Sequence, residues 1–166
     1  ESDYLNTEVG QDTLAACTGN ISFASFTAAK LLWLKQVEPE NFERIQKIML
    51  PKDYLCYRMT GTFCTDVSDA SGTLLLDVKN RSWSGEMCRI CGFDQSCLPR
   101  VYESYEQVGT LKRELAGALG LPEGVVVAAG AGDNAAAAVG TNTVGDGKCN
   151  LSLGTSGTLF ISSRTF

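Results

Sequence analysis

Apolar positions recur at helical spacing through most of the chain and change character in its last third. From Thr27 to Gln36, Leu31, Leu32 and Leu34 sit beside Trp33, which predicts a packed helix. Phe42, Ile45 and Met49 recur near helical spacing and predict another. Pro51 suits a first helical position, Leu55 and Met59 share a face, and Gly61 ends the pattern. Ser84 is placed to cap a helix that closes at Gly92. Thr110 is placed to cap one with the stripe Leu111, Leu115 and Leu119 and a stop at Gly120.

The last third alternates short apolar runs with glycine. Val125-Val-Val-Ala-Ala predicts a buried strand, and Gly130-Ala-Gly-Asp-Asn a turn opening a small-residue helix through Ala138. Gly145 and Gly147 mark a connection. Leu151-Ser-Leu and Leu159-Phe-Ile flank Gly154-Thr-Ser-Gly157, which predicts an antiparallel hairpin with a glycine-bounded turn. A domain seam is expected near Gly140 to Gly147. The order of elements places the chain in the α/β or α+β class. It ends just after a strand with no sheet to join, so a piece of a larger protein is expected.

Charge and composition narrow the function. The net charge of -5 repels phosphate backbones and anionic lipid, so nucleic acid and membrane surfaces are poor partners. The opening Glu1-Ser-Asp-Tyr is acidic and no apolar core follows it, unlike a secretory signal. The most apolar stretch, Val125 to Val139, is cut by Asp133 and Asn134 and cannot span a bilayer. Seven irregularly spaced cysteines are expected to be reduced, mostly buried thiols of a cytoplasmic protein. Histidine is absent, which removes Ser-His-Asp and Cys-His catalysis and histidine metal sites from this segment. A base here must be a carboxylate, Lys or Tyr.

Four motifs could carry chemistry. Gly130-Ala-Gly132-Asp-Asn-Ala135 after a strand matches a dinucleotide fingerprint, but Asp133 would meet the pyrophosphate with like charge. Nor does a second βαβ unit follow. Close packing explains the alanines, whereas the adjacent acid and amide are open to two readings, helix cap or catalytic carboxylate. Gly154-Thr-Ser-Gly157 is either a plain turn or a phosphate cradle of backbone N–H groups and hydroxyls. Cys88-Arg-Ile-Cys91 lacks a second pair, so core packing is favoured over zinc. Asp66-Val-Ser-Asp69-Ala-Ser71 lacks the spacing of a calcium loop and fits turn and cap chemistry.

Several blocks in order resemble the FGGY carbohydrate kinases. Ser25-Phe-Thr-Ala-Ala-Lys30-Leu-Leu-Trp33-Leu-Lys-Gln resembles the family's first signature, departing at Val37. Leu50-Pro-Lys-Asp-Tyr-Leu, Met59-Thr-Gly and Thr65-Asp-Val-Ser-Asp-Ala-Ser-Gly-Thr-Leu-Leu-Leu-Asp77 look like the xylulokinase branch. So do Gly130 to Gly140 and Ser152-Leu-Gly-Thr-Ser-Gly157.

The resemblance implies an α/β fold of the actin/hexokinase-like (ribonuclease H-like) type, a two-domain sugar kinase. Residues 1–144 would be the later part of the N-terminal sugar-binding domain, and 145–166 the start of the C-terminal nucleotide-binding domain. It also implies that Asp133 is the catalytic base, that Asn134 binds the sugar, and that Gly154, Thr155 and Ser156 approach the ATP phosphates. The implied reaction moves the γ-phosphoryl group of ATP, with Mg2+, to the terminal hydroxyl of D-xylulose. A sibling kinase for another polyol, ketose or sugar acid is the alternative, and a non-catalytic ligand-binding domain the alternative of another class. A homodimer is one implied assembly. The family's opening phosphate loop, which helps place magnesium, would lie before Glu1, and its adenosine pocket beyond Phe166. Residues 1–166 alone are therefore expected to be inactive.

Overall fold

Local signals start and stop most of the helices in the computed structural model, which describes residues 1–154 and 157–164. The chain opens with α1 (Ser2–Tyr4), a π-helical stretch over Leu5–Gly10, and α2 (Gln11–Thr18). Helix α3 (Thr27–Val37) follows as expected and buries Ala28, Ala29 and Leu31, while Trp33 stays exposed. Helix α5 (Pro51–Thr60) starts on its proline and ends at Gly61, whose left-handed φ of 85° a side chain would resist. Helix α7 (Gly85–Cys91) is capped by Ser84, whose hydroxyl accepts from Met87 N at 3.3 Å.

Three helix expectations change. Between α3 and α5 only α4 (Pro39–Glu43) is helical, and residues 45–50 carry no regular secondary structure. Ile48 N donates to Cys97 O at 2.8 Å, so this segment bonds across the fold instead of within a helix. The face of α5 shared by Leu55 and Met59 is exposed, and Asp53 and Cys56 are the buried residues. Thr110 closes strand β5 (Gln107–Thr110), so helix α8 (Arg113–Ala118) begins later, after Lys112.

The remaining elements are short. Strand β1 (Cys64–Asp66) leads into α6 (Val67–Ser71), then β2 (Leu76–Asp77) and β3 (Ser82–Trp83), and β4 (Arg100–Tyr102) follows α7. β1 pairs with β4 in parallel, while β2 with β3 and β5 with β6 (Val126–Ala128) are antiparallel. Among the described residues β6 pairs only with β5, and its Val126 is exposed. The expected buried strand is thus an alternating one, with Ala129 buried just beyond its end.

The chain forms two compact units, Glu1–Gly130 and Ala131–Phe166. The first has a main core of Leu5, Leu14, Leu74, Leu75, Met87 and neighbours. Cys88 and Cys91 belong to that core, as packing from one face of α7 predicts. A smaller cluster joins Cys56, Cys64, Val108 and Ala129. The second unit holds α9 (Asp133–Gly140) and the expected hairpin of β7 (Cys149–Leu153) and β8 (Gly157–Ile161). Asn150 Nδ2 donates to Thr141 Oγ1 at 3.1 Å, tying β7 to the end of α9. Among the described residues no helix is long and apolar enough to cross a membrane.

Candidate active site

Gly132, in an extended conformation, is the N-cap of α9, so Asp133 is the first residue inside the helix. The side chain of Asp133 nevertheless serves the helix end: Oδ1 accepts from Asn134 N at 2.8 Å. Both Asp133 and Asn134 are exposed, which leaves the carboxylate and amide accessible to a ligand. An acid at this end also lies with the helix dipole in its favoured sense. The cap and catalytic readings therefore coexist geometrically, because the N-cap position itself belongs to a glycine.

The proposed phosphate hairpin occupies the same compact unit as α9. Its strands run in register from Cys149 opposite Ile161 to Leu153 opposite Gly157. Gly154 follows β7 and is exposed. Thr155 and Ser156 lie outside the described residues.

Sequence reasoning missed a charged cluster in the first unit, beside the chain's approach to Gly130. Asp66 is fully buried and Asp53 almost so, and Lys52 Nζ lies 3.0 Å from Asp66 Oδ1 and 3.1 Å from Asp53 Oδ1. The Asp66 contact is a close charge pair without the angles of a hydrogen bond. Asp66 Oδ2 accepts from Ser68 N at 2.9 Å, Ser68 Oγ at 2.5 Å and Ser104 Oγ at 2.7 Å. Asp53 Oδ2 accepts from Leu50 N at 3.0 Å, closing the first turn of α5.

These contacts decide the ionisation of the cluster. Burial pushes the Asp66 carboxyl up, but Ser68, Ser104 and Lys52 outweigh it and hold the carboxyl below its ordinary range. Burial likewise opposes the Lys52 ammonium, yet Asp66 and Asp53 keep its pKa above the ordinary value. The Asp66 run thus has the expected cap role, since Asp66 caps α6, together with a second role the sequence did not reveal. The available signal was a Lys-Asp pair directly after the helix-starting Pro51.

Comparison with known proteins gives the family of the chain. Residues 1–140 match the N-terminal domain of the FGGY family of carbohydrate kinases. The chain belongs to that family, and its mixed α/β architecture is that of actin/hexokinase-like sugar kinases. It is 50% identical over 149 residues to the xylulose kinase of Escherichia coli (strain K12), covering 90% of this chain and 31% of that protein. The crystal structure of a xylulose kinase from Brucella ovis superposes with a TM-score of 0.89 at 44% identity, covering 97% of this chain and 34% of that one. A gluconate kinase from Lactobacillus acidophilus superposes with a TM-score of 0.88 at 28% identity, covering 95% and 32%. The chain spans about a third of the length of the relatives it matches.

Proposed function

We propose that the chain is part of an ATP-dependent xylulose kinase with Asp133 as its catalytic base. The observation that carries this reading is the exposed Asp133-Asn134 pair opening α9, within a chain half identical to the E. coli xylulose kinase. In the proposed reaction the terminal hydroxyl oxygen of D-xylulose attacks the γ-phosphorus of ATP. The bond from that phosphorus to the β,γ-bridging oxygen breaks, ADP departs, and the hydroxyl proton passes to the Asp133 carboxylate. The products are xylulose 5-phosphate and ADP. Such a transition state is loose, so orientation and charge neutralisation matter more than base strength. An exposed carboxylate that orients the hydroxyl and takes its proton late is adequate.

Asn134 would hydrogen-bond the sugar, and Gly154, Thr155 and Ser156 would approach the ATP phosphates. Among the described residues no three Asp, Glu or Cys side chains gather as a metal site. A Mg2+ ion would enter with ATP, held largely by its phosphates and water. We assign residues 1–144 to the later part of the sugar-binding domain and 145–166 to the start of the nucleotide-binding domain. A cytoplasmic enzyme acting on free sugar, assembled as a homodimer, is the proposed setting.

The test is ADP release by the full-length enzyme with MgATP and D-xylulose, beside gluconate, glycerol and other polyols. Xylulose is expected to have the highest kcat/KM. Preference for a sugar acid would favour a sibling kinase, a reading supported by the likeness to the Lactobacillus gluconate kinase. No transfer to any sugar would leave a ligand-binding domain.

A further inference from the structure

Two elements of the second unit meet at one hydroxyl. Thr141 Oγ1, at the end of α9, accepts from Asn150 Nδ2 in β7 at 3.1 Å. The same oxygen lies 2.7 Å from Ala137 O, to which it donates, and 2.7 Å from Thr143 Oγ1. Thr143 Oγ1 in turn reaches Ala138 O at 3.0 Å. An amide nitrogen only donates, so Asn150 suits this oxygen whichever way the two hydroxyls turn. Just beyond the two elements, Lys148 Nζ donates to Asn142 O at 3.1 Å and braces the same corner.

The corner has two arms. Along α9, Asp133 stands eight positions before Thr141, and along β7, Gly154 stands four positions after Asn150. At about 1.5 Å per helical residue and about 3.3 Å per strand residue, the arms are about 12 Å and about 13 Å long. The proposed base therefore sits at the tip of one arm and the first residue of the proposed phosphate cradle at the tip of the other. Both tips lie inside the compact unit Ala131–Phe166. Of α9 only Ala138 is buried, so apolar packing within the unit sets the angle between the arms weakly. A change of about 5° at the corner moves a tip by about 1 Å, a misplacement that costs on the order of a hundredfold in rate.

We propose that Asn150 is a positioning residue: through Thr141 it fixes the angle between the helix that carries Asp133 and the hairpin strand that leads to Gly154. The reaction explains why that angle matters. The sugar hydroxyl is held near Asp133 and the γ-phosphorus near the hairpin, and attack needs the two in line. Each substrate can bind its own arm over a range of angles, whereas the transition state needs one. The link therefore acts on kcat and leaves both KM values nearly unchanged. Asn150 does this without touching either substrate. The role rests on the kinase reading of Asp133 and the hairpin.

The link is tested in the full-length enzyme with N150A, T141V, the double variant N150A/T141V, and T141S, which keeps the hydroxyl. The measurements are kcat, KM for MgATP and for the sugar, and melting temperature. One hydrogen bond biases a geometry by about fivefold, so kcat of N150A and of T141V is expected to fall about threefold to tenfold. Both KM values should stay within about twofold, and T141S should keep kcat within about twofold of wild type. The double variant should be no slower than the slower single variant, because both changes remove the same link. If T141V does not fold, N150A decides alone. Folded N150A with wild-type kcat overturns the link, as does a fall in kcat matched only by loss of folded enzyme. Losses that multiply in the double variant, or a raised KM with kcat unchanged, overturn it too. Wild-type enzyme that phosphorylates no sugar overturns the kinase reading and the link with it. Active wild type beside an equally active N150A overturns the link alone.

Discussion

Lys52 and Asp66 stand 14 positions apart in sequence, yet Lys52 Nζ lies 3.0 Å from Asp66 Oδ1. The lysine side chain is about a quarter exposed and the aspartate is sealed from solvent. The pair joins the start of α5 to the end of β1, elements from opposite sides of the Gly61 turn. Its ionisation links the fold to pH.

Acid should weaken the protein through Asp66. Its folded-state pKa lies below the ordinary value of 3.8, so the unfolded chain takes up the proton first. The stability it contributes is present above about pH 4 and is lost as pH falls through the folded value. The urea midpoint of wild type should therefore drop below pH 4. D66N should be less stable at pH 7 but show a shallower acid limb. An acid limb unchanged by D66N would assign the effect to other carboxylates.

Asp133→Asn in the full-length enzyme should nearly abolish turnover while leaving the fold intact. The amide oxygen can still accept from Asn134 N, and the N-cap is Gly132, so the helix end loses little. An amide cannot take the sugar proton, and general-base losses are about a hundredfold to ten-thousandfold. Near-normal kcat at an unchanged melting temperature would make Asp133 a helix-end residue only.

Leu75→Ala should destabilise by about 2 to 5 kcal/mol, because Leu75 is fully buried in the main core with Leu74 and Met87. Chemical denaturation reads this directly. A loss under about 1 kcal/mol would mean that the site collapses around the missing atoms.

Gly61→Ala isolates a backbone effect. The added Cβ meets only Lys112 Cε at 3.7 Å, an ordinary contact, so space is not the obstacle. The φ of 85° is, and a left-handed alanine costs about 1 to 2 kcal/mol. A neutral substitution would show that the C-terminal turn of α5 rearranges freely.

Native alkylation should spare three thiols. Burial pushes the Cys88 thiol up to about 11 and the Cys91 thiol to about 12, and burial with the neighbouring Cys56 takes Cys64 to about 12. Their thiolate fractions at neutral pH then fall by roughly a hundredfold to a thousandfold from an ordinary cysteine. Mass spectrometry after brief iodoacetamide treatment should find them unmodified until denaturant is added. Rapid labelling of Cys91 in folded protein would contradict its core placement.

Much of the molecule is decided by local chemistry and is legible residue by residue. Pro51 and Gly61 bound α5, Ser84 and Gly92 bound α7, and the glycines around residue 155 separate two pairing strands. These signals work because caps, left-handed stops and strand alternation depend on a few neighbouring residues. The place of Asp133 at the head of a short helix was legible for the same reason. Local pattern misled where distant backbone offered a better partner. Ile45 to Met49 keep helical spacing but form no helix, because Ile48 N bonds to Cys97 O. The apolar run around Val126 predicts a buried strand, yet β6 pairs only with β5 among the described residues and Val126 is exposed. The charged cluster of the first unit could not be read at all. Its members lie at residues 52, 66 and 104, and no spacing rule connects them. Sequence alone determined the ends of α5 and α7, the two hairpin strands, the acid-amide pair at the head of α9 and the family. Only tertiary structure decided which charges are buried together, because burial strengthens a charge contact and denies it water, and burial belongs to the whole fold.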